Sequence, residues 1–453
     1  MTFHFQTLIQ RLSIVRHTLR WLLLSTLVGL LAGSASAILL LSLDWATDTR
    51  EAHRWLIGFL PFAGLAVGLI YHYFGRSVEG GHNLILDEIH TDISTDPHSP
   101  RTTIPARMTP LILLGTTITH LFGGSAGREG TALQTGAALA DQVTRLLRRL
   151  PFRFSEHDRR ALLMAGISAG FGSVFDTPLA GAVFGLEVLT IGNVGYDAIF
   201  PCFLAAFVGD YTTAHLWHIH HTQYTVTQLS PLNPTTMLSA VAAGIAFGLT
   251  ALLFARCTHA ISALFKRTIP YPPLRPFTGG TLVALAVFAI GTTKYIGLGI
   301  PTIVAAFSQH LPRYDFAAKF AFTSLTLGAG FKGGEVTPLF FIGATLGNAL
   351  SGILPLSASL LAAMGFAAVF AGAANTPIAA SLMAIELFGP EAGAFAAIAC
   401  VTSYLFSGHH GIYRSQRLSA RKHPTPRSRD SSSPQARESA NTLHFQTKWH
   451  KHR

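Results

Sequence analysis

Gly127-Arg128-Glu129-Gly130-Thr131 sets an arginine and a glutamate between glycines, inside a stretch otherwise free of Asp, Glu, Lys and Arg: none occurs from Met108 to Gly127 or from Gly130 to Ala140. A charge at mid-bilayer depth costs roughly 2.5–3.5 kcal/mol even on the lenient insertion scale, so residues kept there face a water-filled or protein-lined path and serve ion or proton movement. The flanking glycines let backbone N–H groups approach something small, and a helix starting here aims its positive end at an anion. The stretch predicts an anion site with an acid standing in it.

Outward from this segment the chain reads as a membrane protein. Apolar residues make up 49% and charged residues 12%, against roughly 25% charged in a soluble domain. Charge-free runs at Trp21–Leu43, Asn233–Ala255, Pro276–Thr293 and Val336–Ile385 supply spans at about 20 residues per crossing. Gly (42) and Pro (23) fall inside these runs, and broken backbone is tolerated in lipid only where protein buries it or a cavity wets it. Short, tilted or interrupted helices follow.

The net charge of +11 is unevenly placed. Arg11, Arg16 and Arg20 precede the first span, six arginines lie between Asp141 and Arg160, and ten Lys and Arg lie from Arg414 to Arg453. The positive-inside rule accounts for this pattern better than nucleic-acid binding, and puts both termini and the 141–160 loop in the cytoplasm of a multi-pass protein of the cell's inner (plasma) membrane. Trp21–Leu43 is too long for the apolar core of a signal peptide. Cys202, Cys257 and Cys400 are scattered and odd in number, giving neither a disulfide framework nor a metal spacing. The spacing His82…Asp87…His90 lacks further ligands, so no metal or other cofactor is expected. After residue 414 the chain turns rich in Ser, Pro, His and Arg, a composition that favours disorder. No His-Glu-x-x-His motif is present, and an intramembrane enzyme is set aside.

An internal repeat organises the remainder. Residues 165–187 read AGISAGFGSVFDTPLAGAVFGLE and residues 364–386 read MGFAAVFAGAANTPIAASLMAIE, so that Gly166, Thr177-Pro178 and Glu187 recur as Gly365, Thr376-Pro377 and Glu386, each 199 positions on. Gly127–Thr131 aligns with Gly334-Glu335-Val336-Thr337-Pro338, 207 positions on. The six arginines after the first motif have no counterpart around Asn348–Ser359, which predicts that the halves are inverted. Inverted repeats place their binding site where broken helices meet near the midplane, bringing Gly127, Arg128, Glu129, Gly130 and Thr131 and Gly334, Glu335, Val336 and Thr337 to one anion. The expected organisation is a cytoplasmic segment 1–20, a first transmembrane repeat 21–210, a linker 211–232, a second repeat 233–413 and a basic cytoplasmic tail 414–453. The fold class is all-α, a polytopic membrane protein of two inverted-topology repeats with broken and tilted helices. The recurring Glu187 and Glu386 read as structural caps or buried hydrogen-bond acceptors.

From about Leu22 to Tyr413 the sequence resembles the CLC family of chloride channels and anion/proton exchangers. Gly127–Gly130 matches its GREGP motif, Gly333–Pro338 stands in place of GxFxP, Thr177–Gly181 with Glu187 matches another patterned helix, and Tyr413 matches its central tyrosine. The departures are Thr131 for Pro, Gly81-His82-Asn83-Leu84 for the GSGIP segment, Glu335-Val336-Thr337 in the second-half motif, and Val188 where many exchangers carry a second glutamate. These resemble the fluoride/proton antiporter branch, CLC-F. The resemblance implies a secondary transporter that exports fluoride in exchange for protons, the alternative being a chloride or less selective anion channel or exchanger on the same fold. It also implies homodimers with one pore in each subunit. Glu129 is then the gate, occupying the anion site when ionised and leaving it when protonated. Glu335 is a candidate second proton group, or else a helix-start charge satisfied by nearby N–H groups. Tyr413 donates its O–H to the anion, or is an interfacial aromatic; Asn83 offers an amide donor; His82 stands at the position of the anion-binding serine, or is a hydrogen-bonded polar residue.

Overall fold

The computed structural model describes residues 2–90, 103–149 and 154–422. Its first half runs α1 (Thr2–Ala52), α2 (Leu60–Phe74), α3 (His82–His90), α4 (Met108–Leu121), α5 (Glu129–Arg148), α6 (Glu156–Phe175), α7 (Pro178–Glu187) and α8 (Ile199–Tyr211). A π-turn and an extended segment lead to α9 (Pro234–Thr268), α10 (Leu274–Ile290), α11 (Ile300–Ser308), α12 (Asp315–Gly328), α13 (Val336–Leu350), α14 (Ala358–Ala374), α15 (Pro377–Phe388) and α16 (Pro390–Phe406). The described strands are two short ones, β1 (Thr190–Ile191) and β2 (Arg417–Leu418), paired in parallel. Ile14–Ala52, Arg54–Phe74 and Pro234–Thr268 are long and apolar enough to cross a membrane, while α4, α10 and α13–α16 are apolar but shorter. The expectation of short and interrupted helices therefore holds. Exposed Leu23, Leu238, Leu285 and Phe288 stud the outer helices, as a lipid-facing surface requires.

The repeat is visible as geometry. Asp176 and Asn375 end α6 and α14 in the left-handed conformation (φ 60° and 58°), which short polar side chains accept most readily after glycine. Thr177-Pro178 and Thr376-Pro377 then start α7 and α15 with proline in the first turn. Glu187, at the end of α7, accepts the N–H groups of Ile378 (3.0 Å) and Ala379 (2.8 Å) at the start of α15. Glu386, near the end of α15, accepts those of Leu179 and Ala180 (both 2.8 Å) at the start of α7. Each carboxylate caps the other helix, which requires the two to run antiparallel and gives both glutamates the capping role expected of them. Buried aromatics stack within each half, Phe171 on Phe184 (centroids 4.3 Å) and Phe340 on Phe366 (3.9 Å), and across the halves, Phe171 on Phe370 (5.8 Å).

Two features depart from the sequence reading. The arginine-rich 141–160 segment is mostly helix, the end of α5 and the start of α6, and its charges are not all solvated. Arg159 is buried and bonds Asp141 (2.7 Å) and Glu88, tying α3, α5 and α6 together. Residues 414–420, assigned to the tail, pack on the core through β2; residues 423–453 lie outside the described residues.

Backbone contact sets the helix spacing in both halves. A Cβ on Gly136 of α5 would stand 2.1 Å from the Gly166 carbonyl oxygen of α6, and one on Gly343 of α13 would stand 2.0 Å from that of Gly365 of α14. Gly136→Val and Gly343→Val should therefore each abolish the monodisperse peak in detergent size-exclusion chromatography. Gly58→Ala, where an added methyl meets nothing within 4 Å, should leave it intact; equal yields of all three would refute the close crossing.

Candidate functional site

The two glycine motifs meet through their backbones. The Gly127 N–H donates to the Gly334 carbonyl (2.6 Å) and the Gly334 N–H returns the bond to Gly127 (2.8 Å), an isolated antiparallel bridge between the halves. A Cβ on Gly334 would lie 2.7 Å from the Gly130 nitrogen, and one on Gly127 would lie 2.9 Å from Pro338, so only glycine permits the approach. Beyond the bridge α5 and α13 begin, and both N-termini point at the same place.

Glu129 fills that place. It is fully buried, and its carboxylate accepts the backbone N–H of Thr337 (3.0 Å), the N–H of Arg128 (3.1 Å) and the Thr337 hydroxyl. The first residue of α5 thus caps α13 with an anion. The Arg128 guanidinium approaches the carboxylate to 4.0 Å and reaches the Val174 carbonyl at 3.4 Å. Backbone N–H groups that hold a carboxylate in this way are chemically suited to small anions in general.

Next to Gly333 and Glu335 lies a polar cavity of about 260 Å³. Glu335, His82, Asn83, Tyr413, Lys332 and Lys266 are among its lining residues. Lys332 stands 4.0 Å over the Tyr71 ring, a cation–π contact that steadies a charge facing the cavity. Tyr413 is 4% exposed, and its hydroxyl has no hydrogen-bond partner among the described residues. Its ring centroid is 5.4 Å from that of His82, whose Nε2 is equally unpartnered. Buried polar atoms are nearly always bonded, so the unpartnered Tyr413 hydroxyl at the cavity edge leaves a donor open to a polar or anionic guest.

The remaining predicted residues are placed as follows. His82 starts α3, lies over Gly130 and meets the Gln134 amide at 3.3 Å; a Cβ on Gly130 would stand 2.7 Å from its ring. Asn83 accepts the Ser415 N–H through Oδ1 (3.1 Å), which leaves its amide nitrogen as a donor. Thr131 turns away from the cavity, its hydroxyl 2.6 Å from that of Thr116. Val336 and Thr337 open α13, and Thr337 is held by Glu129. His82, Asp87 and His90 do not converge: His90 bonds the Leu189 carbonyl (2.9 Å) and Asp87 is exposed. Two Gly-x-Ser-x-Gly strings, Gly123–Gly127 and Gly166–Gly170, could be mistaken for nucleophile elbows. Ser125 pairs with Thr323 (2.8 Å), however, and Ser168 donates to the Ala182 carbonyl. Sequence reasoning missed Gln134, Lys332 and Lys266; Lys332, a lone lysine between the apolar α12 and the Gly333-Gly334 motif, was the one signal available.

The pattern described as voltage gated chloride channel matches residues 63–408. The chain belongs to the CLC family. Within it, a "Chloride/fluoride channel protein" of Pseudomonas syringae pv. tomato is 55% identical over 423 residues, 92% of this chain and 90% of that one. The solved structure of a CLC-type fluoride/proton antiporter is 34% identical, with a TM-score of 0.82 over 88% of this chain and 98% of that one. A slow cyanobacterial Cl−/H+ antiporter, 18% identical with a TM-score of 0.71 over 87% and 96%, shares the fold. This CLC protein is thus a multi-pass membrane protein of a transporter and channel family.

The Thr337 hydroxyl is a separable part of the site. Thr337→Val keeps the N–H and removes one bond to an ionised group, worth about 1.5–3 kcal/mol. With the carboxylate neutralised by Glu129→Gln, a halide taking the seat uses this donor, so adding Thr337→Val should raise the apparent halide Kd about tenfold by calorimetry in detergent. An unchanged Kd would mean that the hydroxyl is no part of the seat.

Proposed function

We propose that this protein exports fluoride in exchange for protons, using Glu129 as the group that both blocks the anion site and carries the proton. The observation that carries the reading is the seat of the Glu129 carboxylate on the N–H and hydroxyl of Thr337. An ionised Glu129 competes with a halide for these donors. A protonated one loses most of its attraction to a helix N-terminus and gives the seat up. One side chain therefore couples the two flows.

Fluoride is favoured over chloride by the donor chemistry. Fluoride is small and strongly hydrated, so a site must replace many water hydrogen bonds. The backbone N–H groups at the starts of α5 and α13, the Asn83 amide, the Thr337 and Tyr413 hydroxyls and the His82 ring supply short, hard donors. The relative named for chloride and fluoride and the fluoride/proton antiporter of like fold support the same reading.

The inner proton route runs through Glu335. Val188 holds no proton, whereas Glu335 lines the polar cavity beside Tyr413 and His82. The proton would pass between the two carboxylates as the chain at the bridge yields. The chain is proposed to work as a homodimer in the cell's inner membrane, with both termini cytoplasmic, and with 21–210 and 233–413 as its two repeats.

In proteoliposomes an outward fluoride gradient should drive protons inward against their own gradient, and fluoride flux should exceed chloride flux at least tenfold. Equal chloride flux would remove the selectivity, and fluoride flux without proton movement would leave a passive channel. Glu335→Gln should lower coupled transport at least tenfold while the protein elutes as wild type. Coupled exchange at the wild-type rate would send the proton by another group or by water.

A further inference from the structure

Among the described residues nothing bonds the Tyr413 hydroxyl, so its position is set by the chain on either side. Before it, the Ile412 N–H donates to the Ala373 carbonyl (2.9 Å), and the His259 ring lies 3.1 Å from the Gly411 carbonyl. After it, Ser415 binds Asn83, and the chain reaches Gln416.

The Gln416 side chain forms a knot. Its amide nitrogen donates to the Val188 carbonyl and to the Ala374 carbonyl, both at 2.8 Å, and its Oε1 accepts from the Asn375 amide at 3.0 Å. The two carbonyls belong to the ends of α7 and α14, one from each half, and carbonyls in a last helical turn have no partner within their own helix. Two acceptors and one donor around one amide also fix which way the amide faces. Val188 further borders a small apolar cavity that Tyr413 and His82 share.

We propose that Gln416 is a positioning residue for Tyr413: it fastens the segment after the tyrosine to both repeats at once, and thereby sets how far the phenol reaches toward the anion. The inference rests on the reading that Tyr413 donates its O–H to the transported halide. Movement at the end of α7 or α14 reaches the phenol through this amide, because Gln416 is three residues beyond Tyr413 and β2 pins the next two residues to β1. Gln416→Leu keeps the bulk and deletes all three bonds, so the phenol loses its fixed reach.

The test is a double-mutant cycle on halide affinity for transport in proteoliposomes. Gln416→Leu should weaken the apparent fluoride affinity about fivefold, the value of roughly one hydrogen bond, and add nothing further in a Tyr413→Phe background. The same factor in both backgrounds, or no factor in either, would overturn the proposal. Should Gln416→Leu fail to fold, Asn375→Gly serves. It deletes the donor to Oε1 and tolerates the left-handed φ of 58°, and it should produce a smaller weakening that also vanishes with Tyr413→Phe. The two failures separate cleanly. Tyr413→Phe alone reports whether the phenol binds the halide, and a wild-type protein carrying chloride would sink the fluoride reading while the cycle, run with chloride, still decides Gln416.

Discussion

The structure depends on one short contact, the reciprocal backbone bridge between Gly127 and Gly334. It joins the two repeats at the only kind of residue that allows two backbones to touch while two helices begin beside them. Because the strands of the bridge run in opposite directions, α5 and α13 converge from opposite sides with their N–H groups leading. Two positive helix ends facing one point repel each other unless an anion lies between them. In this structure the anion is the Glu129 carboxylate.

A charge taken out of water is ordinarily an expense to the fold, and others in this protein are handled conventionally. Glu187 and Glu386 each satisfy two N–H groups of the opposite helix, and Arg159 is matched by Glu88 and Asp141. Glu129 is held by the same kind of donors, but in the proposed function a halide competes with it for them. The difference between a cap and a gate is thus whether a competitor for the donors reaches them, and Glu335, next to the bridge, lines a polar cavity with Tyr413, Lys332 and Lys266.

Much of this was legible in the sequence. The charge-free runs predicted a membrane protein, the offset repeats predicted paired helix starts, and the isolated Arg-Glu pair predicted the acid at their meeting point. The capping glutamates were readable because they recur in both halves. The geometry that was not readable depends on side-chain direction. Thr131 stands in the motif yet turns to Thr116, and the arginines of the 141–160 segment include one that the core absorbs through Glu88. Gln416 lies in a stretch whose composition resembles a tail, and no local pattern reveals that carbonyls at two distant helix ends await it. Lys332 and Lys266 lie far apart in the sequence, and the cavity they share exists only in three dimensions.

The central claim is that one carboxylate, Glu129, both occupies the halide seat and moves the proton. Its most direct test is fluoride-driven proton uptake by liposomes containing Glu129→Gln, whose side chain keeps the shape of a protonated glutamate and never ionises. Uptake should fall to the level of empty liposomes, whatever fluoride flux remains. Proton uptake near the wild-type rate would show that another group carries the proton and would contradict the account.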